Sequence, residues 1–155
     1  MSLSLRPIAS GAFDLVRHIA VQPDQTLFSG TVAQAFKTKE EGVDFHAIFI
    51  KETAIGFFKL DRSYGIAKDN ELGLRGFMID HRQQGKGHAT RALRALPDYL
   101  HHHYPDHTSL LLTVDIQNVA AIACYSKGGF YQTGQLYFGG FLGPQQVMRL
   151  TLLAP

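Results

Sequence analysis

ELGLRGFMI (residues 71–79) followed by DHRQQGKGHA (residues 80–89) is the stretch of this chain that decides its fold. Glu71 to Ile79 reads as a strand. Asp80 to Lys86 is a polar turn that ends in glycines. Helical spacing then takes over, because Ala89, Ala92, Leu93, Leu96 and Leu100 share one stripe. Glycines at 85 and 87 let the backbone approach a ligand closely. The first N–H groups of the following helix have no intrahelical partner. Together with the helix dipole they favour an anion, most simply a phosphate. Arg82 and Lys86 would add full charges beside it. The alternative is a tight strand-to-helix turn that needs glycine for its shape alone.

Working outward, Ser2 to Arg6 alternates and reads as a short strand. Ser10 is placed to cap a helix running to about Ala20. Gln22 to Gln25 contains Pro23 and reads as a turn, with a second helix over Ser29 to Lys39. Val43–Lys51 and Ala54–Leu60 are strands joined by a hairpin connection, and Arg62 to Asn70 is a polar loop. Pro97 predicts a kink or an early end to the central helix. Ser109 to Val114 is a near-continuous apolar run, as a strand buried on both faces requires. Asn118 to Lys127 is a helix closed by Gly128-Gly129. Phe130–Gln135 and Gln146–Leu152 form a terminal strand pair around a glycine-rich loop. This element order predicts an α/β (α+β) chain with a mixed, mostly antiparallel sheet that helices must cover.

The chain has 155 residues, 45% hydrophobic and 18% charged. That excludes a disordered chain and a coiled coil and suits a single domain, taken here as 1–155. No apolar run approaches ~20 residues, so a membrane span is not expected. No secretory signal is visible, and a single cysteine builds neither a disulfide framework nor a cysteine-rich zinc site. A reducing cytoplasmic location is the expectation. Lys and Arg number 15 against 13 Asp and Glu. A net charge of +2 is too small for a general nucleic-acid surface. Metal binding by His101, His102, His103 and His107 is not expected, since neighbours on a helix end point in different directions.

Two common phosphate motifs fail against these letters. The P-loop string Gly-x4-Gly-Lys-Ser/Thr is absent. The dinucleotide fingerprint needs a third Gly or Ala where Thr90 stands, although Asp115 at the end of the next strand keeps a nicotinamide enzyme open. Gln84-x-x-Gly87-x-Ala89 instead matches the Gln/Arg-x-x-Gly-x-Gly/Ala signature of the GNAT N-acetyltransferase superfamily. Asn118-x-x-Ala121-x-x-x-Tyr125-x-Lys127-x-Gly129-Phe130 resembles its second motif. The resemblance extends from the first strand to the last, and it implies a central sheet of about six to seven strands flanked by about four helices.

The resemblance also implies acetyl-CoA as cosubstrate and no metal. The pyrophosphate would lie on the turn Gln84, Gly85, Lys86, Gly87, His88 and Ala89. The pantetheine arm would pair with Phe77, Met78 and Ile79, which requires the central strand to splay from its neighbour and leave backbone groups open. An N–H there, such as that of Met78, would steady a thioester oxyanion. Asn118 corresponds to a position near the pantetheine, and Tyr125 to the general acid toward the coenzyme sulfur. Tyrosine suits that task because its pKa of ~10 keeps it protonated at neutral pH. Read singly, Asn118 is equally a helix cap and Tyr125 a core aromatic. Cys124 reads as packing.

The attacking amine, with a pKa of ~10.4, must lose a proton. Glu71 is the first candidate base; Asp80, His46 and His81 are further ones, Asp80 being equally suited to organising the turn. Tyr137, Phe138 and Phe141 are candidate linings of the acceptor pocket. The acceptor is expected to be a small-molecule amine or a peptide N-terminus, with amino acids, antibiotics and polyamines all open. The stretch from Phe77 to Gly87, with the closing strands, resembles bacterial diamine and spermine acetyltransferases, but Arg75 speaks against a polycation. A homodimer is one option. Two other readings remain beside the enzyme: a non-catalytic acyl-CoA-binding sensor and a nicotinamide-dinucleotide-binding domain.

Overall fold

The computed structural model describes residues 2–38, 40–68, 70–140 and 143–152. The strands are β1 (Leu3–Ile8), β2 (Val43–Ile50), β3 (Thr53–Asp61), β4 (Glu71–Ile79), β5 (Ser109–Asp115), β6 (Tyr131–Tyr137) and β7 (Gln145–Thr151). The helices are α1 (Phe13–Val16), α2 (Pro23–Ser29), α3 (Val32–Lys37), α4 (His88–His103) and α5 (Val119–Lys127). The strands form one sheet in the order β1-β2-β3-β4-β5-β7-β6. Every pairing is antiparallel except β4 with β5. The expected mixed sheet is therefore present, with seven strands and five helices among the described residues.

The helices cover both faces. On one side the stripe of α4, Ala92, Leu93, Leu96 and Leu100, packs with α5 on Phe58, Leu72, Leu110 and Met148. On the other, α1 to α3 cover Ala47, Phe49, Phe57 and Met78. α4 runs unbroken through Pro97, so the helix does not end early there. Proline in a helix interior costs ~3 kcal/mol, while burial of large apolar side chains returns ~1.5–3 kcal/mol each. Leu93, Leu96 and Leu100 are all fully buried, so the packing wins.

The first helical region differs from its reading. α1 spans only Phe13–Val16, and Ser10 does not cap it. The segment read as a turn at Pro23 is the start of α2. Proline at the first helical position lacks only an N–H that would have been orphaned anyway. Gly30 with φ +72° then breaks the chain before α3. Thr31 opens α3 by accepting the Gln34 N–H at 3.1 Å, and the Gln34 side chain accepts the Thr31 N–H at 2.9 Å.

Two features of the sheet shape the site. First, β4 pairs with β5 only over Glu71–Gly73, whereas β5 continues on β7 out to Asp115. Beyond Gly73 the two central strands part. Second, Phe57 lies opposite Met78 while Lys59 lies opposite Arg75, so β4 carries one extra residue there. Gly76 has φ +61° at this bulge, a conformation glycine takes without penalty.

A polar network lies beneath α4 at the β1–β2 end of the sheet. His46 is 1% exposed and stacks on Phe58. Its Nδ1 lies 2.5 Å from Tyr99 Oη and its Nε2 lies 2.9 Å from Tyr104 Oη. Tyr104 donates to Asp44 at 2.7 Å. Its oxygen therefore accepts from His46 Nε2–H, which leaves Nδ1 to accept from Tyr99. A neutral imidazole satisfies every group in that chain. Burial is the main cause that lowers the His46 pKa to about 4, partly opposed by Asp44.

Candidate active site

The splay between β4 and β5 opens a cleft built from adjoining cavities. One, of about 200 Å³, lies on the turn at Gln84, Gly85, Gly87, His88, Ala89 and Thr90. It continues into a channel of about 360 Å³ walled by Phe77, Met78, Ile79, Asn118, Ala121, Cys124 and Tyr125. Phe77, Asn118, Ala121 and Tyr125 also line a third cavity of about 330 Å³. That one adds Lys59, Tyr64, Arg75, Gly76, Thr113, Asp115 and Gln145.

The turn has the features of an anion cradle. Gly85 and Gly87 adopt φ +77° and +81°, and a β-carbon at either would meet nothing within 4 Å. From Gly85 to Thr90 no backbone N–H donates to an acceptor among the described residues. These groups stand at the start of a 16-residue helix, where the dipole favours negative charge. The residues therefore fit a pyrophosphate.

The flanking side chains act differently from expectation. Arg82 pairs with buried Asp80 at 3.0 Å and donates to the His18 carbonyl, so its charge is already engaged. Asp80 accepts from the Ala20 N–H and so organises the turn. Lys86 is exposed and hydrogen-bonds Gln83 at 3.3 Å; it lies outside the cavity linings. Gln84 turns inward, donating to the Ile79 carbonyl at 3.0 Å and to Gln25 at 2.9 Å. Buried His88 bonds Arg91, and burial lowers its pKa. What this turn offers is its main chain.

Along the channel, β4 residues past Gly73 have no partner on their β5 side. The open edge at Phe77, Met78 and Ile79 can receive an extended, amide-bearing ligand as an added strand. Asn118 is both a helix cap and a cleft-lining residue. Its Oδ1 accepts the Ala121 N–H at 3.3 Å as the cap of α5, and the residue lines the cleft. Tyr125 packs edge-on against Phe77 and Phe130. Burial raises its pKa, so the hydroxyl stays protonated through the neutral range. Among the described residues no group hydrogen-bonds that hydroxyl. Burial likewise pushes the Cys124 thiol up, away from the thiolate a nucleophile needs.

Glu71 is not brought to this cleft. It sits at the opposite end of β4, ~20 Å along the strand from Phe77 at ~3.3 Å per residue. Burial would raise its pKa, but bonds from Arg149 (2.7 Å), Ser109 (2.6 Å) and the Lys68 N–H (2.8 Å) outweigh that and hold it low. Such a carboxylate joins β4, β5 and β7; it is a structural anchor. His46 belongs to the network under α4, and His81 is exposed on the turn. Tyr137 and Phe138 do not line these cavities, and Phe138 is 70% exposed. Phe141 falls outside the described residues.

Sequence reasoning passed over three cleft residues, Tyr64, Lys59 and Thr113, and weighed a fourth, Asp115, only for a nicotinamide site. Asp115 ends β5, is buried, and accepts the Gln117 N–H at Oδ1 over 2.8 Å. Among the described residues nothing donates to its Oδ2. Its position three residues before Asn118 was the available signal, because a strand end next to a motif helix faces the same cleft.

Comparison with known proteins agrees with this geometry. The sequence profile of the acetyltransferase (GNAT) family matches residues 11–130. The chain belongs to the GNAT acetyltransferase family. The family is one of acetyltransferases. A spermine/spermidine N(1)-acetyltransferase of Bacillus subtilis (strain 168) is 36% identical over 73 residues. The match covers 47% of each protein, so the chain spans about half the length of that curated relative. Among solved structures, the aminoglycoside acetyltransferase AAC(6')-Ib with coenzyme A and kanamycin superposes with a TM-score of 0.79 at 21% identity. It covers 97% of this GNAT domain and 95% of its own chain. A spermidine N-acetyltransferase from Vibrio cholerae with CoA and spermine gives 0.72 at 16% identity, over 97% and 95%. These likenesses establish the shared fold. Among the described residues no helix is long and apolar enough to cross a membrane.

Proposed function

We propose that this GNAT domain transfers an acetyl group from acetyl-CoA to a primary amine by direct attack, with Tyr125 as the general acid. The observation that carries the reading is the position of Tyr125. It stands in the wall shared by the channel from the amide-rich turn and the cavity bearing Asp115, with its hydroxyl unpartnered among the described residues. Bound in this cleft, acetyl-CoA supplies an acyl group activated as a thioester. The N–H groups from Gly85 to Thr90 hold its pyrophosphate, and the open edge of β4 aligns its amide-bearing arm. A β4 N–H near Met78 is placed to steady the oxyanion.

Two proton tasks fall to side chains. Tyr125 holds a proton at Oη for the departing sulfur. Asp115 offers Oδ2 to the ammonium of the acceptor and takes up the role first considered for Glu71, accepting a proton directly or through water. Nothing in this arrangement asks Cys124 to carry the acyl group. The acceptor is a small amine, and this chain works as one domain.

The test is Tyr125→Phe, assayed by thiol release with an amine panel and by acetyl-CoA titration. kcat falls ~10²-fold while acetyl-CoA affinity is kept. Undiminished kcat removes Tyr125 as the acid. Tight acetyl-CoA binding by the wild type with no turnover of any amine supports the non-catalytic sensor instead.

A further inference from the structure

One wall of the cleft carries a cation with no ion-pair partner among the described residues. Lys59 of β3 and Arg75 of β4 lie directly opposite each other in the antiparallel register, an arrangement in which like charges repel. Arg75 is compensated, by two bonds to Glu40 at 2.8 and 3.2 Å and one to Asp61 at 3.2 Å. Lys59 is not. Among the described residues no carboxylate oxygen lies within 4.0 Å of its Nζ, yet the residue is half-buried in the cavity wall.

The backbone is shaped around this lysine. A β-carbon at Gly76 would stand 3.2 Å from Lys59 Cε and 4.0 Å from Nζ. The bulge that needs glycine for its φ therefore also makes room for the lysine stem. Lys59 and Gly76 line the cavity that contains Asp115 and Tyr125. Burial, and then Arg75, lower the Lys59 pKa, with Glu40 and Asp61 opposing them only in part, so the charge is held at a cost that a bound anion would relieve. The same cavity thus offers a carboxylate oxygen for an ammonium and an ammonium for a carboxylate.

We propose that the acceptor is a small amine that also carries a carboxylate, received by Lys59 on the far side of the cleft from the coenzyme turn. This rests on the transferase reading and narrows it. Polyamines and aminoglycosides present only positive charge to this lysine and are disfavoured.

The experiment compares L-amino acids with their α-carboxamides and their decarboxylated amines. Thiol release gives kcat and KM, and calorimetry in the presence of CoA gives the affinities of the N-acetylated acid and amide. Acids show KM and Kd values about tenfold lower than their matched amides, the scale of one charge-assisted contact. Lys59→Met brings that ratio to about one, Lys59→Arg keeps it, and Lys59→Glu inverts it toward the decarboxylated amines. Acetyl-CoA affinity, measured on each variant, serves as the folding control. Equal or better use of amides and decarboxylated amines by the wild type overturns the substrate class and leaves the transferase reading intact. A preference for acids that survives in Lys59→Met also overturns it. Failure of the wild type to bind acetyl-CoA sinks the transferase reading. In that event calorimetry still decides: an acid preference lost in Lys59→Met supports the lysine as receptor, and no preference refutes it.

Discussion

Acidification should unlock this fold at His46 before most carboxylates titrate. The imidazole is buried and held neutral between two tyrosine hydroxyls, with its pKa lowered to about 4. In the unfolded chain it would titrate near 6.5. Between those values the unfolded state binds the proton and the folded state does not, so stability is full above pH 6.5 and declines as pH falls. Linkage gives a loss of about 2 kcal/mol by pH 5 and about 3 kcal/mol by pH 4. Urea denaturation followed by circular dichroism at pH 7.5, 6, 5 and 4 measures it. Other histidines and carboxylates titrate in the same range, so the comparison is with His46→Gln, which keeps a hydrogen-bonding side chain and removes the titration. The stability gap between wild type and variant narrows by about 2 kcal/mol from pH 7.5 to pH 5. A gap that stays constant refutes the reasoning, because it means His46 titrates alike in both states.

Two further outcomes concern the site. Gly87→Trp abolishes acetyl-CoA binding by filling the turn, and forcing a side chain to φ +81° costs ~1–2 kcal/mol of stability; calorimetry on the folded variant checks this, and retained affinity removes the phosphate assignment. Glu71→Gln lowers stability by about 3 kcal/mol by leaving Arg149 without its carboxylate, while kcat is kept. A loss of kcat at unchanged stability would return Glu71 to the role of base.

The centre of the fold was legible in the letters because its signals are local. The β4 strand, the Gly85–Gly87 turn and the α4 stripe each declare themselves within a dozen residues, and Asn118 with Tyr125 mark α5. The start of α2 was misread because Pro23 serves a turn and a first helical position equally well. Pro97 misled for the opposite reason: its local penalty was visible, but the burial that overrides it is tertiary. The acceptor side was least legible. Lys59, Tyr64, Arg75 and Asp115 come from separate strands and a loop, and only the register and the bulge at Gly76 bring them together. Glu71 shows the converse. Its place at a strand end was readable, but Ser109 and Arg149, which hold it, lie 38 and 78 residues away in sequence.

The short seam between β4 and β5 has a thermodynamic consequence. The leaf β1–β4 and the leaf β5–β7–β6 meet over only three paired residues on each side. A ligand laid along the open edge finishes the hydrogen bonding that the polypeptide leaves undone. In the binding mode proposed above, acetyl-CoA is mortar as well as reagent. At a hundredfold excess over its dissociation constant, mass action alone adds about 2.7 kcal/mol to the folded state. How firmly the two leaves are joined becomes a readout of the acetyl-CoA supply.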